Sequence, residues 1–406
     1  MLFAQGTAAE PPPAIAPAAR ADPAPPPGIA ARTGESLEVA LVTIGPGDIY
    51  WTRFGHNAIV INDRATDRAR IYNFGIFDFD SKDFFLEFLR GRMMYLAVGE
   101  PLRDFGIYLD QGRSIDVQWL ALAPAQRLAL REHLEWHVAP ENSRYRYDYY
   151  EQNCSTKVRD ALDLATGGAV REALAGRSRG ATYRSITQRL TAPQWWLYLG
   201  THAGLSGYAD RPVSYWEEAF IPMELARRLR EVSVTDASGA RAPLVMREAR
   251  LAEATVRQPP DEPPRWRAFF LAAGLGLGAA LLLLARRGYA RALAASRALL
   301  WLVAGIGGIA LALLWATTEH RSAWANENIL LFNPLALALL PVAFVTRWRT
   351  SAYARTIAWL LAACAAFALA AKVLPGFRQD NLDWILLWLP IHFALALGFA
   401  PRLRPA

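Results

Sequence analysis

Residues 144–162, RYRYDYYEQNCSTKVRDAL, are the stretch on which the fold of the first half turns. Asn153 is a good helix N-cap, because its side-chain oxygen can accept from the free N–H groups two and three residues further on. From Cys154 the spacing predicts a helix that closes at Gly167-Gly168, glycine being the residue that ends helices with least steric cost. Cys154 then lies in the first turn, where the positive end of the helix dipole surrounds its sulfur. That position predicts a lowered thiol pKa and N–H donors for a tetrahedral oxyanion. A lone cysteine is more commonly buried and inert, but an idle thiol is a liability in an oxidising compartment.

Upstream, apolar alternation predicts strands at 37–44, 56–61, 70–74, 92–98 and 114–120, with helices at 78–89 and 124–138. The stretch 180–256 reads as mixed and mostly helical. Together these give an α+β domain over 37–256, with helices packed on one antiparallel sheet. His56 opens the second strand directly after the loop GPGDIYWTRFG, where side chains project into clefts. It is the candidate base for Cys154. A Cys–His pair needs a third group to orient the imidazole. Asn73 on the next strand or Asp78 could serve, although Asp78 also suits a helix N-cap. His133 and His137 share one helix face, but EHLEWH lacks the spacing of a zinc-protease motif and a third ligand. No metal or other cofactor is expected.

Composition divides the chain. Of 406 residues 53% are hydrophobic and 20% charged, and the apolar excess lies after Arg267. Five apolar runs follow, at 268–285, 298–317, 328–346, 354–373 and 382–400, each about 18–20 residues and long enough to cross a bilayer as a helix. The organisation is therefore an Ala/Pro-rich, disordered N-terminal segment (1–36), the α+β domain (37–256), a linker (257–267) and an all-α domain of five transmembrane helices (268–406). The opening MLFAQG is by itself too short for a secretory signal peptide. Arginines cluster after the first run (Arg286, Arg287, Arg291, Arg297), after the third (Arg347, Arg349, Arg355) and in the tail (Arg402, Arg404). Positive joins stay in the cytoplasm. Five spans then place the C-terminus inside and the 37–256 domain in the periplasm.

This composition excludes a cytosolic enzyme and a disordered protein. Cys154 and Cys364 fall one in each half, so both are expected free and a disulfide-stapled scaffold is excluded. The 44 Lys and Arg against 37 Asp and Glu give a net charge of +7. No basic stripe is interleaved with aromatics, so no nucleic-acid partner is expected. The outward joins carry His320, Asn326, Asn328 and Asn333, candidate ligands for a phospholipid headgroup; ordinary interfacial solvation is the other reading.

Several stretches resemble the Lnb N-terminal periplasmic domain family: GHNAIVI (55–61), YNFGIFDF (72–79), GRMMY (91–95), RSIDVQWLAL (113–122) and 144–162. The resemblance covers roughly residues 37–230, and the N-C-[SA]-T-x-x-R-D element with the earlier Gly-His is its most specific part. The order of His before a helix-start Cys is similar to circularly permuted papain-like (NlpC-type) folds. The resemblance implies a lipoprotein N-acyltransferase in the inner membrane, with its catalytic domain in the periplasm. Cys154 would take an acyl chain from a phospholipid as a thioester and pass it to the N-terminal amine of a lipoprotein. His56 would be the base, and Asn153 with the backbone N–H of Ser155 or Cys154 would line the oxyanion site. Arg159 and Asp160 match the motif, as site support or as an ion pair bracing the helix. A membrane-anchored cell-wall amidase or cysteine peptidase on the same dyad is the alternative, and a non-enzymatic membrane scaffold the third reading. Five spans favour the first, since an anchor needs only one.

Overall fold

The computed structural model describes residues 33–78, 83–103, 105–235 and 239–399; the expected disordered segment lies outside them up to residue 32. Strand β1 (Leu37–Ile44) pairs with β2 (His56–Asp63), which pairs with β3 (Arg68–Phe77). Helix α1 (Phe84–Arg90) leads into β4 (Met94–Pro101), then β5 (Ile115–Leu120), α2 (Pro124–Val138) and the short β6 (Arg144–Arg146). Helix α3 (Cys154–Ala165) follows, with α4 (Trp195–Gly204), α5 (Pro222–Leu229) and finally β7 (Val245–Ala252). The seven strands form one antiparallel sheet in the order β6-β4-β3-β2-β1-β5-β7.

The central strands are apolar on both faces because both faces are covered. Leu37, Val39, Leu41, Ile59, Tyr72 and Phe74 pack against Leu130 and Leu134 of α2, Val158 and Leu162 of α3 and Leu225 of α5. Ala40, Val42, Ile44, Ala58, Val60 and Ile71 make the other face, under Phe105, Tyr108 and Trp119. At about 25 cal/mol per Å² of apolar area removed from water, this double burial is the main force holding the sheet. The sequence reading of 180–256 missed β7, whose alternating MREARL is mostly exposed and polar and pairs with β5 only as an edge. β6 was also missed, being only 3 residues long.

Beyond residues 253–266, which carry no helix or strand, the described chain to residue 399 is mostly helical. Among the described residues three helices are long and apolar enough to cross a membrane: α6 (Arg267–Arg286), α7 (Ala290–Thr317) and α8 (Ala352–Ala370, extended by a turn to Val373). The expectation of five full helices is corrected at the other two runs. Run 328–346 is broken, and the pieces Arg321–Leu330 and Pro334–Phe344 meet at 42°. Pro334 and Pro341 each remove an N–H donor, and Asn333 caps a new turn by accepting from the Leu335 N–H. The last run forms α9 (Leu382–Leu397), 16 residues with Pro390 inside. Gly274 and Gly278 let α6 touch α9 backbone to backbone: a Cβ at Gly274 would lie 2.6 Å from the Leu386 carbonyl oxygen.

The two halves are joined by buried polar contacts. Asn326 Nδ2 donates to the Ala203 and Gly204 carbonyls at 2.9 Å, and Asn328 Nδ2 to the Ala203 carbonyl at 2.9 Å, closing the C-terminus of α4. Gln379 Nε2 donates to Asn326 Oδ1 at 3.0 Å and Asn381 Nδ2 to Asn328 Oδ1 at 2.9 Å. His202 on α4 lies 3.3 Å from Asp383 on α9.

Candidate active site

Register builds the site. His56 pairs with Ile44 and Ala58 with Asn73, so His56 and Asn73 are diagonal neighbours on the face carrying Ile44, Ala58 and Ile71. His56 Nε2 and Asn73 Oδ1 are 3.0 Å apart. Asn73 can accept there, which fixes the proton on Nε2 and leaves Nδ1 as the basic nitrogen. Asp78, the other candidate orienting group, is buried and paired with Arg144 at 2.8 Å.

Continuing the β2–β3 register by two residues puts Gly75 opposite His56. A bulge interrupts β3 between Phe74 and Ile76, and Gly75 has φ of +85°. A Cβ on Gly75 would sit 3.5 Å from Cys154 Cβ and 3.5 Å from the Tyr147 ring. The bulge thus makes the gap through which the first residue of α3, packed on the opposite face, reaches the His56 end of β2.

Cys154 is free and half-buried, packed against the main core. Asn153 caps α3 as expected: its Oδ1 accepts from the Ser155 and Thr156 N–H groups, both at 2.9 Å. Its Nδ2 donates to the Tyr149 and Phe220 carbonyls, each at 2.9 Å, so the carboxamide is fully engaged and is no oxyanion donor. Ser155 is buried and ties α3 to Ala219 and Asn57. The backbone N–H groups of Asn57, Ser155 and Cys154 itself favour the thiolate. The Asn57 N–H belongs to the peptide that follows His56, so the sulfur lies near the backbone of β2 where that strand begins. Among the described residues no hydrogen bond joins the two; the ring bonds Asn73.

Burial corrects the expected thiol acidity. It pushes Cys154 above the ordinary thiol value, outweighing the backbone N–H groups and the charge of Arg113. Burial likewise pulls His56 down to about 4, against its bond to Asn73, and Arg113 lowers it further. At neutral pH the resting pair is therefore thiol and imidazole, not thiolate and imidazolium. Arg113, unsuspected from sequence, is buried, with Nε donating to the Gly45 carbonyl at 2.8 Å and Nη2 without a hydrogen-bond partner among the described residues. Burial lowers it to about 10, so it stays charged at neutral pH. The available signal was topological: β2 and β5 both pair with β1 at Ile44, so residues just before each strand meet at one sheet end.

The remaining candidates lie elsewhere. Arg159 donates to Asp160 at 2.7 Å, stacks 3.9 Å over Trp216 and braces α3. Asn326 and Asn328 are buried in the joint to α4, and Asn333 caps a turn, so these carboxamides already have partners. His320 Nε2 is 3.1 Å from the Phe88 carbonyl. His133 and His137 pack ring against ring at 4.6 Å.

Two family models match the chain: the Lnb N-terminal periplasmic domain over residues 30–189, and the Lnb transmembrane domain over residues 267–396. No curated protein and no solved structure matches it.

Proposed function

The chain belongs to the Lnb family, a membrane protein with a periplasmic N-terminal domain, and from that premise we propose that it is a cysteine acyltransferase. The acyl donor is a phospholipid and the acceptor the N-terminal amine of a lipoprotein. The observation that carries this reading is Cys154 at a capped helix start, beside the backbone of the strand whose first residue, His56, is bonded to Asn73. The arginine-rich joins support a cytoplasmic C-terminus, with the thiol on the periplasmic side.

In the first half-reaction the Cys154 sulfur attacks the donor's ester carbonyl while His56 Nδ1 takes the thiol proton. With a neutral resting pair this transfer accompanies attack, which is general-base catalysis. The N–H groups of Cys154 and Asn57, which favour the thiolate, would serve the oxyanion as donors, and Arg113 adds a fixed positive charge. Collapse breaks the ester C–O bond, the leaving alkoxide takes the proton from His56, and a lysophospholipid departs from the thioester. In the second half-reaction the acceptor amine attacks the thioester and His56 takes its proton. Collapse forms the amide and breaks the C–S bond, and the proton returns to the sulfur.

The test is to incubate the purified full-length protein with phospholipid carrying a labelled acyl chain and weigh the Cys154 peptide. An acyl adduct that disappears on adding a lipoprotein-like N-terminal cysteine peptide is the expected result. No adduct, with peptidoglycan fragments cleaved instead, would replace the acyltransferase with an amidase. The buried joint between the two halves supports the acyltransferase, because a simple anchor has no need of it.

A further inference from the structure

Helix α1 leaves a row of apolar side chains in the open: Phe85 is 75% exposed, Leu86 43% and Leu89 65%. Phe85 and Leu89 stand i, i+4 and Leu86 and Leu89 i, i+3, so Leu89 joins both on one side of the helix. Its C-terminus is fastened to the residues that leave the membrane at the end of α7. Glu319 N–H donates to the Arg90 carbonyl at 2.7 Å, the His320 ring reaches the Phe88 carbonyl, and Arg92 Nε donates to Glu319 Oε1 at 2.6 Å. Arg146 also binds Glu319. Gly91, with φ of +76°, backs onto this loop so closely that a Cβ would lie 2.8 Å from the His320 nitrogen. Since α7 ends at Thr317, α1 is held at the membrane boundary. Trp315 and Trp324, both exposed, mark the same level.

From that level a series of rings leads inward. Tyr149 stacks on His320 with centroids 6.0 Å apart, Tyr147 meets Tyr149 at 6.2 Å, and Tyr147 borders the Gly75 gap beside Cys154.

We propose that α1 is an interfacial helix, immersed in the periplasmic leaflet through Phe85, Leu86 and Leu89, and that a leaflet lipid reaches Cys154 along Tyr149 and Tyr147. Immersion removes from water a face that is otherwise costly to expose, and a short helix lying in the interface gains from such burial. The route rests on the acyltransferase reading; the immersion of α1 does not.

Two measurements test this on the full-length chain in nanodiscs of phosphatidylethanolamine and phosphatidylglycerol. First, Leu86→Cys and Leu89→Cys, each with Cys154→Ser and Cys364→Ser, are spin-labelled and relaxed with oxygen or a water-soluble nickel chelate. Relaxation dominated by oxygen is expected; relaxation dominated by nickel would overturn the immersion, and with it docking to any lipid. Second, L86D/L89D is compared with the parent on vesicle phospholipid and on a water-soluble short-chain aryl ester, each read as acylation of Cys154. The ratio of the two rates is expected to fall about tenfold. An unchanged ratio would overturn the route. If the parent forms no adduct with either donor, the acyltransferase reading and the route fall together, while the relaxation result still decides the immersion of α1.

Discussion

His56 Nε2 stands 3.0 Å from Asn73 Oδ1 across adjacent antiparallel strands. That bond chooses the tautomer before substrate arrives. Asn73→Leu should leave the fold intact but let the ring adopt the wrong tautomer or rotate. Adduct formation on Cys154 is expected to fall roughly 10²-fold, and that of His56→Gln by about 10²–10⁴, the usual worth of a positioned base. Single-turnover mass spectrometry reads both; an N73L rate equal to the parent's would remove Asn73 from the site.

The neutral resting pair sets the pH profile. With His56 at about 4, the acid limb of adduct formation should fall near pH 4 and not near the ordinary histidine value of about 6.5. Iodoacetamide should modify Cys154 slowly at pH 7 and increasingly above the ordinary thiol range. The same depression couples to stability. The unfolded chain binds a proton that the folded His56 refuses, so stability falls as pH drops from about 6.5 towards 4. Denaturation of His56→Gln should be less steep across that window.

Arg113 lowers both Cys154 and His56 through its charge. Arg113→Met should therefore raise both, moving the alkylation midpoint of Cys154 to higher pH and the His56 imidazole titration upward in NMR. Arg113→Lys should restore much of the shift. Unmoved midpoints in R113M would mean that the charge is felt too weakly to matter.

Gly75 is the backbone condition for the site. Its φ of +85° is strained for any residue with a Cβ, at roughly 1–2 kcal/mol, while the added methyl would meet Cys154 and Tyr147 at 3.5 Å, an ordinary contact that narrows the access to the thiol. Gly75→Ala is expected to lower the melting temperature by a few degrees and to slow alkylation of Cys154. Asn153→Ala should cost about 0.5–2 kcal/mol as a lost N-cap. Asn153→Asp keeps the acceptor for Ser155 and Thr156 and should recover part of that loss.

The parts of this protein governed by local rules were readable from sequence. The α3 N-cap, the strands bearing His56 and Asn73, and α2 beginning at Pro124 all follow from capping, alternation and proline chemistry. What escaped depends on partners distant in the chain. β7 is a strand only because β5 offers it an edge, and Arg113 matters only because antiparallel pairing brings its strand end to that of His56. The thiol's acidity was misjudged for a similar reason: a helix start is visible in sequence, but the burial that outweighs it is not. The broken run at 328–346 carried its own warning in Asn333, Pro334 and Pro341, which hydrophobicity alone concealed.

Asn326 and Asn328 lock the end of α4 to the bundle, and Gln379 and Asn381 lock those asparagines in turn. The sheet consequently cannot swing on residues 253–266 like a head on a leash. On the proposed acyltransferase reading, Cys154 becomes a station at fixed altitude above the bilayer, and the protein would act as a ruler as much as a catalyst. Whatever reacts there must bring its own carbonyl or amine to that height, so stature above the membrane joins chemical identity in deciding what is a substrate.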